Sequence, residues 1–298
     1  MKILETTEQN FLKIIKETLK DNSHLGDDCA ILPEFNLAIS EDSLVEGVHF
    51  DLNLMKPYEL GKKSALVNIS DVLASGAKPK YLLVSLSGEL DNAFVKSFYE
   101  GVNEICEQFN VEVVGGDLTS GDRIVVSICA LGNIKNRNIS SRKNAKPSYV
   151  VCAMGNFGVS TIGLSMLKLG RNEFTHAHTE PQLYPEVVDE IALKTIFPYA
   201  MMDSSDGLLD CLAQISRDSK VKIEVEYDKI PKKIDDKKAV LFGGEDYSLV
   251  ICMAKNEFER IKHLGLVQIG QVSDGMGIFV DGVDYSDIDW GGYKHFEN

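Results

Sequence analysis

Residues 81–117 read YLLVSLSGELDNAFVKSFYEGVNEICEQFNVEVVGGD. The apolar run at 81–86 reads as a strand and 94–109 as a helix. Residues 111–114 form a second strand that runs straight into Gly115-Gly116-Asp117. Upstream, 58–76 is helical, with Leu60, Ser64, Val67, Asp71 and Val72 at 3.6-residue spacing and Gly76 placed to cap it. Residues 7–20 form an amphipathic helix through Phe11, Ile15 and Leu19, and the short apolar runs 29–32 and 37–39 read as strands. Residues 124–131 add another strand before a polar, basic connection at 133–148 that contains Arg137, Arg142, Lys143 and Pro147. Beyond it come strands at 149–153, 221–227, 247–253 and 266–269, and helices at 160–169, 186–197, 208–216 and 257–264. Strands and helices mix without strict alternation. The expected fold class is therefore α/β (α+β-like) in two domains, residues 1–138 with a mixed sheet and helices and residues 148–298 with an α/β domain.

The chain has 298 residues, of which 44% are hydrophobic and 26% charged, so either half can bury a core. Lys and Arg number 31 against 45 Asp and Glu, for a formal net charge of −14. That field repels polyanions and argues against nucleic-acid or anionic-membrane partners. The six cysteines are widely spaced, none in a C-x-x-C pair, and fit buried apolar positions in a reducing compartment. With no apolar signal core near Met1 and no run of membrane-spanning length, the sequence reads as cytoplasmic.

Acidic residues cluster beside glycine or serine in six places: Gly26-Asp27-Asp28, Ser40-Glu41-Asp42, Ser70-Asp71, Gly116-Asp117, Asp203-Ser204-Ser205-Asp206-Gly207 and Gly243-Gly244-Glu245-Asp246. Five are expected in turns, where Asp and Gly are ordinary turn chemistry. Asp71 falls on a helix between Ile69 and Val72, a poor place for an uncompensated charge. Carboxylates converging from several strand ends are what hard, oxygen-seeking cations take as ligands, and such ions would cancel the repulsion between an acidic protein and a polyphosphate. No G-x-x-x-x-G-K-[ST] loop, protein-kinase signature, Cys/His metal spacing or G-x-S-x-G elbow occurs. A polyphosphate enzyme working through metal ions is the leading class.

In order along nearly the whole chain, these motifs resemble the thiamine-monophosphate kinase family, within the aminoimidazole-ribonucleotide-synthetase-like superfamily. The matching stretches are Gly26-Asp27-Asp28-Cys29-Ala30, the block from Ser40 to Phe50 (SEDSLVEGVHF), Asn68-Ile69-Ser70-Asp71, Gly115-Gly116-Asp117, Asp203 to Leu208, Gly243 to Tyr247, and Trp290-Gly291-Gly292-Tyr293-Lys294-His295-Phe296. The resemblance implies several Mg2+ ions held by Asp28, Ser40, Glu41, Asp42, Asp71, Asp117, Asp203 and Asp206. It implies ATP as co-substrate at Gly116, Asp117, Arg142 and Ser205. Thiamine monophosphate would lie at His49, Glu245 and Tyr293, with Trp290 as a wall. It also implies a homodimer paired through the N-terminal sheets. The implied reaction is direct transfer of the γ-phosphoryl group to give thiamine diphosphate. No residue serves as nucleophile, because a phosphate monoester is already anionic and needs charge relief and alignment rather than a base.

The chain departs from that family at three places. Leu118 stands where a threonine is usual, Glu41 replaces another, and the Arg-Pro-x-Pro-Arg segment is reduced to Glu180-Pro181-Gln182-Leu183-Tyr184-Pro185 without either arginine. A non-catalytic Mg-nucleotide sensor, or a sister ATP-dependent synthetase of the superfamily, is the competing reading. The chain ends His295-Phe296-Glu297-Asn298, without the cysteine tail expected of a hydrogenase-maturation member.

Overall fold

Along residues 78–87 buried and exposed side chains alternate, with Leu82, Val84 and Leu86 turned inward, the pattern of a strand covered on one face. The computed structural model describes residues 7–286. Helix α1 (Thr7–Thr18) precedes β1 (Ala30–Leu32), β2 (Leu37–Val45), α2 (Pro57–Ala74), β3 (Lys78–Ser87), α3 (Asn92–Phe109), β4 (Glu112–Thr119) and β5 (Val125–Asn133). The five strands form one sheet in the order β1-β2-β5-β3-β4. Strands β3 and β4 run parallel, bridged by α3, and the other pairs are antiparallel.

The second sheet is built from β6 (Val150–Met154), β7 (Ala200–Asp203), β8 (Lys222–Val225), β9 (Leu249–Met253), β10 (Val267–Ser273), β11 (Gly277–Val280) and β12 (Val283–Asp284). Its order is β12-β11-β8-β10-β6-β9-β7, with β8 and β11 parallel. Helices α4 (Val159–Lys168), α5 (Thr175–Thr179), α6 (Pro185–Lys194), α7 (Leu208–Ser219), α8 (Lys237–Phe242) and α9 (Lys255–Ile261) surround it.

Helix α2 starts with Pro57, and the Glu59 carboxylate accepts the Lys56 N–H at 2.8 Å. From Leu60 to Ala74 every residue except Asp71 is buried. One side of the helix lies on β2, β3 and β5, and the others meet α3, β7, α5 and α6. A single apolar core runs through it, from Leu82, Val84 and Ile128 of the first sheet to Met201, Ile251 and Met253 of the second. The far face of the second sheet has its own core beneath α7, around Leu212, Ile223 and Val250. The two halves thus share a core across α2.

Two sequence expectations are corrected. Ser40-Glu41-Asp42 and Gly116-Asp117 lie inside β2 and β4, not in turns. Ser40 and Asp42 pair with Ala130 and Ile128 of β5, and Gly116 pairs with Val84, so an apolar neighbouring strand carries the ladder through polar residues. The helix expected at 186–197 ends at Lys194, and β7, α8 and β11 were not foreseen.

The crossing of α2 with α3 is set by a reciprocal pair of glycines. A Cβ on Gly61 would lie 2.0 Å from the Phe98 carbonyl oxygen, and one on Gly101 would lie 2.0 Å from that of Tyr58. Alanine is the better helix former by about 1 kcal/mol, but overpacking of this kind costs about 1–3 kcal/mol. Gly101→Ala is therefore expected to lower the melting temperature in a thermal scan. An increase would mean that the crossing relaxes freely.

Candidate active site

Three carboxylates from three separate elements meet at the junction of the sheets. Asp28 comes from the turn before β1, Asp71 from α2, and Asp203 from the end of β7; one oxygen of each lies within 4.8 Å of the others. Asp203 is 2% exposed and accepts a hydrogen bond from the Ser70 hydroxyl. Asp42 adds its field from the helix-facing side of β2. Burial, followed by repulsion from Asp28, pushes the Asp203 carboxyl up to about 7. Burial and then repulsion from Asp203 hold Asp71 well above the usual carboxylate range, and burial also raises Asp28 against the attraction of Arg142.

Arg142, from the connection between the halves, donates to Asp28 through Nη2 and to the Gln214 side chain through Nη1. Its backbone N–H and the Ser141 hydroxyl hold Asp27 at 2.7 and 2.9 Å. The cluster fits hard cations: three carboxylates converge, and one guanidinium does not balance them. The buried Ser40 hydroxyl beside Cys29 has no hydrogen-bond partner among the described residues. The thiols of Cys29 and Cys211 donate to the backbone carbonyls of Asp71 and Asp203 at 3.5 and 3.0 Å, so both cysteines serve as packing and not as ligands. All six cysteines are free.

Beside the cluster opens a cleft of about 780 Å³ lined from the first half by Asp42, Leu44, Val48, His49 and Val67, and from the second by Ser205, Asp206, Phe242, Glu245 and Tyr247. His49 Nδ1 accepts the Val45 N–H at 3.0 Å, which fixes the ring at the cleft mouth. The loops 203–207 and 243–247 are bound to each other: Glu245 N donates to Ser205 O at 2.6 Å, and Ser204 N to Ser248 O at 2.8 Å. Glu245 and Tyr247 both adopt positive φ, 62° and 50°, a strained conformation for such side chains.

The sequence-derived residues divide by location. Asp28, Ser40, Asp42, Asp71, Asp203 and Arg142 gather at the junction, while Asp206, Ser205, His49 and Glu245 line the cleft. Gly116 and Asp117 lie on the exposed edge strand β4, where a Cβ on Gly116 would strike the Val84 carbonyl oxygen. The Glu41 side chain accepts from Ser43 and Ser127, one strand position away from the helix-facing Ser40 and Asp42, so strand alternation turns it to the open side of the sheet. Trp290 and Tyr293 lie outside the described residues.

Sequence reasoning missed Lys63 and His178. The Lys63 ammonium is fully buried on α2, 2.8 Å from Glu245 Oε1. His178 is 4% exposed and sits between Lys63, Glu245 and Ser160. Nothing in the local sequence, Gly61-Lys62-Lys63-Ser64, marked this lysine as enclosed.

Comparison with known proteins places these features in a family. Residues 26–134 match the AIR synthase related protein, N-terminal domain. Thiamine-monophosphate kinase of Aquifex aeolicus is 33% identical over 99% of this chain and 100% of its own length. The kinase of the same name from Bacillus subtilis is 33% identical over 84% of this chain and 85% of its own length. A solved structure of AaThiL complexed with AMPPCP and TMP superposes with a TM-score of 0.88 at 32% identity, covering 98% of this chain and 97% of that one.

The raised carboxyls give the site a measurable signature. Folded Asp203 keeps its proton up to about 7, whereas an unfolded aspartate releases it near 3.8, so between these values the folded state binds more protons. Stability is therefore expected to fall as pH rises from about 4 through about 7 in the presence of a chelator. Asp203→Asn should flatten that decline in thermal melts, and millimolar Mg2+ should raise the wild-type melting temperature more at pH 8 than at pH 5. Parallel profiles for wild type and variant would remove Asp203 as the source.

Proposed function

The chain belongs to the thiamine-monophosphate kinase family, and on that premise we propose that it phosphorylates thiamine monophosphate with ATP, by direct transfer, to give thiamine diphosphate. The observation that carries this reading is the Asp28–Asp71–Asp203 cluster, adjoined through Asp42 by a cleft that presents His49 and Glu245. Asp28, Ser40, Asp42, Asp71, Asp203 and Asp206 would hold Mg2+ with their side chains and Asp117 from the edge strand, whereas Glu41, turned to the open side of the sheet, would stand apart from that set. Bound there, the ions would neutralise and polarise the phosphate oxygens.

The chain's own groups divide the remaining work. Arg142 would bring a positive charge to the nucleotide side, where Gly116, Asp117 and Ser205 supply the other nucleotide contacts. His49 and Glu245 orient the acceptor, and the sequence adds Tyr293 and Trp290 to that wall. The apolar side of the cleft, Leu44, Val48, Val67 and Phe242, suits a heteroaromatic ring system and excludes water around it. The acceptor phosphate attacks in line, which requires alignment and charge relief and no covalent phosphoenzyme.

Three further parts of the reading have their own support. Tyr81, Leu83, Val113, Val114 and Leu118 are exposed on β3 and β4, a surface suited to pairing with a second copy as a homodimer. The chain divides near residues 138–148, consistent with one sheet lying wholly before that connection and the other wholly after it. No helix of the described residues is long and apolar enough to cross a membrane, and six free cysteines suit a reducing cytoplasm.

The test is ADP release from Mg-ATP with and without thiamine monophosphate, alongside Asp42→Asn. Release that depends on thiamine monophosphate and drops about 100-fold or more in the variant, with thiamine diphosphate as product, is expected. Well-folded protein that binds ATP but releases no ADP above background would make it a nucleotide sensor.

A further inference from the structure

We propose that Lys63 and His178 are positioning residues that together fix the Glu245 carboxylate at the wall of the cleft, leaving its remaining lone pairs directed at the amine-bearing pyrimidine of the acceptor. The proposal rests on the reading of the cleft as the thiamine monophosphate site. It assigns roles to two residues outside the motifs that carried that reading.

The hydrogen-bond accounting is closed by chemistry. Lys63 Nζ is 2.8 Å from Glu245 Oε1 and 3.4 Å from His178 Nε2. An ammonium donates and cannot accept, so Nε2 must be the acceptor and the ring proton must reside on Nδ1. His178 Nδ1 lies 3.3 Å from Glu245 Oε2 and 3.1 Å from Ser160 Oγ. The Nδ1–H has the Ser160 hydroxyl as its hydrogen-bond partner, and the second carboxylate oxygen of Glu245 lies beside it at 3.3 Å. Both oxygens of Glu245 thus have a close neighbour, Oε1 the Lys63 ammonium and Oε2 the edge of the imidazole at Nδ1. Burial and the nearby Lys63 push the imidazole down to about 4, against the opposing pull of Glu245, in keeping with a neutral ring.

The choice of partner separates positioning from mere charge compensation. Lys62, one residue earlier on α2, pairs with Glu104 and Glu180, which do not line the cleft. Lys63 instead pairs with the carboxylate that does. Glu245 also has a left-handed backbone, φ 62°, which aims its side chain inward and away from the relaxed alternatives. Lys63 belongs to the first half of the chain and His178, Ser160 and Glu245 to the second. The carboxylate is thus placed only when the halves are seated against each other.

The test compares His178→Leu, His178→Asn and Glu245→Ala in the full-length enzyme. The Asn amide restores an N–H close to Nδ1. His178→Leu is expected to raise the KM for thiamine monophosphate about tenfold or more, with the KM for ATP changed less than about threefold, and His178→Asn is expected to recover most of the loss. In a double-mutant cycle His178→Leu should add little to Glu245→Ala, because it acts through that carboxylate. Equal changes in both KM values, or losses that multiply in the double variant, would overturn the proposal. Independently of turnover and of any variant's folding, 15N NMR of the wild-type imidazole at pH 7 is expected to report a neutral ring protonated at Nδ1. The Nε2–H tautomer would overturn the pair outright. Absence of thiamine monophosphate turnover in the wild type with the Nδ1–H tautomer present would reject the substrate and retain the Lys63–His178–Glu245 arrangement.

Discussion

Helix α2 is enclosed by apolar side chains on every side, so each polar group it carries must be satisfied by another element. Among the polar groups inside that enclosure, Lys63, Asn68, Ser70 and Asp71 reach partners on other elements. Asn68 accepts the Asp42 backbone N–H and donates to Ser64 O, tying β2 to the helix. Ser70 and Asp71 meet Asp203, while Lys63 meets Glu245. The geometry of the site is thus a by-product of burying one helix between two sheets. A helix of the same length on the surface would have let each of these groups go to water.

The two charged ends of that arrangement have opposite signs of difficulty. At the Asp71 end, like charges within 4.8 Å repel by roughly 3 kcal/mol at an effective dielectric near 20. Added to the larger effect of burial, this keeps protons on carboxyls that would otherwise have lost them, and Arg142 offsets only part of it. At the Lys63 end the charge is matched locally, and removing Glu245 would leave the buried Lys63 ammonium alone, at a cost of about 3–5 kcal/mol. The first end is an electrostatic deficit suited to bound cations. The second is a closed pair that gives rigidity. Such a division gives an acidic protein of net charge −14 two unlike charged environments at one junction.

Much of this was legible in the sequence, and the failures have physical causes. The core elements of the first half follow from 2.0 and 3.6 periodicities, and Asp71 stood out because a charge flanked by Ile69 and Val72 demands compensation. The serine- and glycine-flanked acids at 40–42 and 116–117 were misplaced in turns because local composition favours turns there, whereas pairing with β5 and β3 keeps them in strands. Glu41 shows the cost of that error. A one-residue step along a strand reverses the face, which a turn assignment conceals. Lys63 and His178 carried no local signal, since their meaning depends on contact between residues 115 positions apart. Strand β7 is four residues long, too short for periodicity to mark it, yet it supplies Asp203.

The sharing of α2 between two cores also bears on how the chain acquires its structure during synthesis. The helix is complete by Ala74, but β9, which helps to cover it, ends at Met253. At ribosomal rates of about 5–20 residues per second, that interval leaves an apolar helix with one side uncovered for on the order of ten seconds or longer. A nascent first half therefore presents to the cytosol the sticky surface that its own later segments will cover. Protection of that surface during translation, and not the later chemistry, sets the demand this fold places on the cell's chaperones.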